Sequence, residues 1–346
     1  MTVAPVALLL LLGQSQDAEA LSDKALELAR LSRFAEAEKL WQQALALSPN
    51  HFSSAYNLGF LYYSGKQYDR AEPVLSRATR ANPKDFNAHY ILGATLSQLG
   101  RSEDALREWR RALALQPDHV KLMQIMAVEY GKGRYFREAA QIAERALGLQ
   151  TGDHSLYLVA IKSYQDANDH PAALRVATRM IAKFPDSARS NFEYGYELHR
   201  AGRREDALPF LKKAMETDQS YEEPFFFYGE VLLEEGRHAE ALPPLRKAVE
   251  LRQDYMAAWV ALARALMGLE HYEEAKSELL RAIEVNHRHP LPHLFLSQLY
   301  FRLGREELAI QEKELSLRLR RENPEAMESA QSRPFPEPLP PRRPKK

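Results

Sequence analysis

The chain has 346 residues, 45% of them hydrophobic and 27% charged, a balance that suits a folded soluble protein and argues against disorder over most of its length. Lysine plus arginine equals aspartate plus glutamate at 47 each, so no net field exists to concentrate nucleic acid or to gather basic partners. The absence of cysteine excludes disulfides, thiolate metal sites and a cysteine nucleophile, and it leaves the redox compartment unmarked.

The first feature in chain order is an apolar run at residues 6–12 (VALLLLL). It is shorter than the roughly 20 apolar residues that a membrane-spanning helix needs. Small residues two apart follow it, Gly13 with Ser15 and Ala18 with Ala20, in the arrangement of a signal-peptidase site, although residues 1–5 lack Lys and Arg. The expectation is that residues 1–17 form a signal peptide or apolar leader, cleaved as late as residue 20. The mature chain is then exported to the periplasm or envelope of a bacterium, with no stable membrane span. The alternative is an uncleaved leader on a cytoplasmic protein.

From residue 18 onward a 34-residue period organises the chain. Pro49, Pro83 and Pro117 stand 34 apart and Pro185 stands two periods further. Nine units beginning at 18, 52, 86, 120, 154, 188, 222, 256 and 290 fill residues 18–323 without an insertion. Within a unit, apolar or small residues at places 4, 7, 8 and 11 form one buried helical stripe, and places 20, 24 and 27 form a second. Place 20 is alanine in every unit: Ala37, Ala71, Ala105, Ala139, Ala173, Ala207, Ala241, Ala275 and Ala309. A methyl group there lets two helix backbones approach closely. Between the helices lies a turn that often holds glycine (Gly65, Gly100, Gly133, Gly202, Gly236, Gly304), expected to relieve the backbone at a helix end.

Leu58, Gly59, Tyr62, Tyr68, Ala71, Ala78 and Pro83 in unit two, with Leu92, Gly93, Ala105, Trp109, Ala112 and Pro117 in unit three, give the chain a resemblance to the tetratricopeptide repeat family. The resemblance implies an all-α fold, a right-handed superhelical solenoid of antiparallel helix pairs, with a concave groove that takes up extended peptides. Unit five departs from the pattern at Ile161 and Met180, which predicts looser packing or altered twist there. The second helix of unit nine is more polar, as a terminal cap requires.

Places 2, 5, 9 and 12 of each first helix face away from the buried stripe, and in the family they line the groove. Tyr56, Phe60, Tyr63 and Tyr90 stand there early in the chain, Phe192, Tyr196 and Phe226 in the centre, and Leu294 and Phe301 near the end. Lys162, Arg189, Arg200 and Arg264 interleave with Glu223, Glu230 and Glu234 on the same face. These aromatics are candidate anchors for a bound peptide. The competing assignment packs them against the neighbouring unit. The family's clamp for an acidic C-terminus is not matched: units one to three supply Ser22, Leu26, Asn57, Asn87 and Ile91, and only the asparagine of unit two agrees.

No catalytic motif is found, neither a nucleophile elbow, a zinc-protease HExxH nor a phosphate-binding glycine loop. His287, His289 and His293 lie within seven residues and could hold zinc, but with Pro290 and Pro292 they read as an exposed loop, and no metal or cofactor is expected. Residues 324–346 are proline-rich and basic, a disordered polyproline-like tail. Pro338 to Arg343 (PLPPRR) matches the SH3-ligand pattern. The chain therefore reads as a non-enzymatic scaffold that binds protein or peptide partners and no nucleic acid, with self-association left open. The runner-up is an assembly subunit of an envelope secretion or pilus-like complex, using its convex face and tail.

Overall fold

The computed structural model describes residues 4–149 and 152–324, with side chains from residue 15. The described residues form 18 α-helices and no strand. They fall into two compact bodies, residues 1–167 and 168–346.

The first body holds α1 (Ala4–Arg30), α2 (Phe34–Leu47), α3 (Phe52–Ser64), α4 (Tyr68–Ala81) and α5 (Phe86–Gln98). It continues with α6 (Ser102–Leu115), α7 (Val120–Lys132), α8 (Phe136–Leu149) and α9 (His154–Asp166). The second body holds α10 (His170–Lys183), α11 (Ala188–Arg200), α12 (Arg204–Thr217), α13 (Glu222–Glu234) and α14 (His238–Leu251). It ends with α15 (Met256–Gly268), α16 (Tyr272–Val285), α17 (Pro290–Arg302) and α18 (Glu306–Glu322). Every first helix from unit two onward begins on the first residue of its unit, and every second helix begins at place 17. Only α1 departs: it is one unbroken helix of 27 residues that starts at Ala4 and runs through residue 18. No helix among the described residues is long and apolar enough to cross a membrane. The proline-rich tail and its SH3-like motif lie outside the described residues.

At six of the eight unit junctions the side chain at place 34 caps the next helix, Tyr221 and Tyr255 being the exceptions. The Asp85 carboxylate accepts the Ala88 amide at 2.7 Å, and His51, His119, Asp153, Ser187 and His289 cap the following helices likewise. The turn between paired helices always places position 15 in the left-handed region. Gly100, Gly202, Gly236 and Gly304 are there at φ 74°, 75°, 73° and 68°, and so are Ser32, Lys66, Arg134, Asn168 and Glu270 at 56° to 64°. Gly65 and Gly133, expected to relieve this turn, stand one residue too early. Their φ values are −81° and −77°, and Lys66 and Arg134 carry the unusual conformation instead.

The nine place-20 alanines are buried. In units two, three, six and seven a glycine at place 8 faces a large residue at place 24: Gly59 against Leu75, Gly93 against Trp109, Gly195 against Leu211 and Gly229 against Leu245. In unit five the sequence inverts the order, with Ile161 at place 8 and Ala177 at place 24. Ile161, Ala177 and Met180 are all buried, so the expected loosening does not show in their exposure.

Candidate functional site

The stripe made by places 5, 9 and 12 differs between the two bodies. In units one to four it consists of Ser22, Leu26, Ala29, Tyr56, Phe60, Tyr63, Tyr90, Ala94, Ser97, Gln124, Val128 and Gly131, with no acidic or basic residue among them. Phe60 is 47% and Val128 40% exposed, and Tyr56, Tyr63 and Tyr90 are half-buried. The rings form columns along their helices. Phe52 stacks on Tyr56 with centroids 5.8 Å apart, and Tyr56 on Phe60 at 6.4 Å. On the next unit Phe86 stacks on Tyr90 at 5.7 Å, and Tyr90 lies 6.1 Å from His119. Burial pushes the phenols of Tyr56, Tyr63 and Tyr90 up from their ordinary value, with Asp85 adding to the effect at Tyr56. At neutral pH they stay protonated, so the stripe offers uncharged ring faces with hydroxyl donors.

Units six and seven, in the second body, close their aromatic residues at the same positions. Phe192, Tyr196 and Phe226 are buried and are packing residues, contrary to the groove assignment. The cause is what the end of the same unit and the first helix of the following unit supply. At place 34, Tyr221 lies 5.2 Å from Phe192 and Tyr255 lies 4.8 Å from Phe226. At place 6, Phe227 lies 5.7 Å from Phe192 and 4.8 Å from Tyr196. In the first body the equivalent residues for Tyr56 and Tyr90 are Asp85 and His119, and Ile91 and Ile125, which leave more of each ring uncovered.

The charged residues are largely engaged. Lys162 is buried and donates to Asp166 at 2.7 Å, so it is not an open groove cation. Arg189 bonds Glu193 at 2.9 Å and lies 3.7 Å from Glu223. Arg264 donates to Glu230 at 2.8 Å, with its guanidinium 5.6 Å from the Phe295 ring centroid. Burial raises the Glu230 carboxyl above its ordinary value while Arg264 opposes the shift. Arg200 is exposed and reaches His170 at 3.0 Å. The charges expected to interleave along the groove are thus largely engaged with partners inside their own body.

The histidines have structural work. His289 caps α17 and is buried, and His293 Nδ1 lies 2.7 Å from Glu312. No group of three or more metal-ligating side chains is found among the described residues. His293–Glu312 repeats a pair in unit three, His89 Nδ1 to Glu108 at 2.7 Å. Its sequence signal is His at place 4 with Glu at place 23.

Tetratricopeptide repeat profiles match residues 28–95 and 232–299, residues 86–119 and residues 158–222. Among curated proteins, anaphase-promoting complex subunit 3 of Schizosaccharomyces pombe is 25% identical over 184 residues, 53% of this chain and 28% of that protein. The peroxisomal targeting signal receptor of Candida glabrata is 34% identical over 92 residues, 27% of this chain and 16% of the receptor. The chain thus spans less than a third of the length of these relatives. Among solved structures, the APC/C hetero-tetramer Cut9-Hcn1 superposes with a TM-score of 0.54 at 14% identity, covering 90% of this chain and 62% of that one, a likeness of fold alone.

Proposed function

The chain belongs to the tetratricopeptide repeat family, and on that premise we propose that it is a non-enzymatic binding protein whose partner segment lies along the uncharged aromatic stripe of the first body. The observation that carries this is the contrast between units two and three and units six and seven. Tyr56, Phe60, Tyr63 and Tyr90 keep accessible ring surface where Phe192, Tyr196 and Phe226 have lost theirs. Rigid rings offer a large contact area at little rotamer entropy, and their neutral hydroxyls can donate to the carbonyls of an extended peptide. Lacking charge at places 5, 9 and 12 of units one to four, the stripe favours aromatic and aliphatic side chains over an acidic terminus.

Panning a random-peptide library against the full chain tests this. Selected peptides should be rich in aromatic and aliphatic residues and should bind the Y56A/F60A/Y90A variant at least about tenfold more weakly, as loss of anchor residues implies. Selected peptides that bind the variant as well as the native chain would remove the stripe from consideration.

We also propose export to a bacterial envelope, supported by the apolar run at residues 6–12 and the small residues behind it. N-terminal sequencing of the mature protein checks it: a start after Ser15 or Ala20 agrees, and a retained Met1 contradicts it.

A further inference from the structure

The ninth unit was expected to close the solenoid with a polar helix, yet its outer face carries exposed apolar residues among the charges. Phe301 is 70%, Ile310 57% and Leu317 46% exposed. The corresponding residues elsewhere are covered: Leu233 and Met267 match Phe301, Leu106 and Leu208 match Ile310, and Leu45, Leu113, Leu147 and Val249 match Leu317, all buried. Phe301 and Ile310, with Leu294, line an open cleft of about 700 Å³.

The charge pattern of α18 says what covers this face. Glu306 and Glu307 occupy its first turn, and Arg320 and Arg321 lie in its last. All four are exposed, and among the described residues none has a salt-bridge partner. Glu306, Ile310, Lys313, Leu317 and Arg320 or Arg321 follow one another at spacings of three and four, so they share one side of the helix. The order along that side is acidic, apolar, basic, apolar, basic, with Lys313 between the two apolar residues and Glu314 next to it. Laid antiparallel on a copy of itself, the helix sets Ile310 against Leu317 of the second copy, Glu306 against its Arg321 and Glu307 against its Arg320, every pair occurring twice.

We propose that this face of α18 is a two-fold dimer interface, and that its occupant is α18 of a second copy of this chain. The contact is isologous and self-complementary, so it closes at two chains. The Ile310 and Leu317 side chains supply apolar contacts on either side of the axis, where Lys313 faces Glu314 of the second copy, and the charges at either end select the antiparallel register over the parallel one, which would oppose like charges. The interface is independent of the aromatic stripe, and either can fail without the other.

Sedimentation equilibrium on the full chain tests it, with circular dichroism to verify that each variant keeps its helices. The native chain should dimerise reversibly. I310D/L317D should weaken the dimer by about 100-fold or more, since two apolar contacts are lost from each chain. E306R/E307R should also weaken it, and adding R320E/R321E to that variant should restore it. Because the native sequence has no cysteine, geometry can be read directly. A mixture of I310C and L317C chains should form a mixed disulfide faster than either chain forms one with itself. A chain that stays monomeric at concentrations on the order of 100 μM, weaker than a specific micromolar complex, would overturn the proposal. So would a dimer indifferent to I310D/L317D, a charge reversal that is not rescued, or equal cross-linking in the unmixed samples.

Discussion

Trp109 occupies the space that a side chain on Gly93 would need: a Cβ built on the glycine would lie 2.5 Å from the indole Cδ1 and Nε1. A ring wedged in a helix pair cannot retreat as a flexible chain end can, so Gly93→Ala forces the two helices apart. We expect it to destabilise the protein by about 1–3 kcal/mol, the usual range for overpacking. Gly148 lies in α8 with nothing within 4 Å of its would-be Cβ. There the same change should stabilise by up to about 1 kcal/mol through helix propensity. Denaturant unfolding of the two variants side by side checks the opposite signs.

The left-handed turn at place 15 gives a second pair of opposed effects. Glu270 adopts φ 64° and Gly100 φ 74°. Glu270→Gly should stabilise and Gly100→Ala destabilise, each by about 1 kcal/mol, because the left-handed conformation costs a residue with a Cβ about that much. Thermal melts of the two variants provide the measurement.

Burial separates the aromatics into two classes by consequence. Phe192→Ala removes a buried ring that meets Tyr196, Tyr221 and Phe227, and should cost about 3–5 kcal/mol. Phe60→Ala, at a half-open position, should cost much less stability and should act instead on binding. Equal losses of stability in urea titrations would contradict the division drawn between the bodies.

Glu230 sets a pH dependence. Its carboxyl is raised above the ordinary value of 4.5 by burial, against the pull of Arg264. A group that binds its proton more tightly folded than unfolded contributes most stability below its unfolded value, and that contribution fades as pH rises through the folded value. Relative to Glu230→Gln, the native chain should therefore lose stability as pH climbs from about 4.5 toward neutrality. Parallel unfolding curves for the two proteins at every pH would exclude the effect.

The repeat frame is legible in the sequence because helix starts depend on nearby residues. The cap at place 34, the alanine at place 20 and the small residue at place 8 all recur in phase, and the helices begin where that phase puts them. Solvent access to a groove ring is not local in this sense. Whether Tyr56 is open or Phe192 closed depends on residues about 30 positions later, Asp85 in one case and Tyr221 with Phe227 in the other. Helical periodicity within one segment carries no trace of them. The same limit hid the turn: glycine content pointed to Gly65 and Gly133, whereas the strained position is the next residue, Lys66 or Arg134. The apolar end of unit nine was masked by the polar average of α18, because Ile310 and Leu317 are two residues among many charges.

The most direct test of the binding surface is hydrogen–deuterium exchange on the full chain with and without a peptide selected from the library. Slowed exchange confined to α3, α5 and α7, the helices that carry Tyr56, Phe60, Tyr63, Tyr90 and Val128, is the predicted result. Protection confined to α11 and α13, around the buried Phe192, Tyr196 and Phe226, would contradict it.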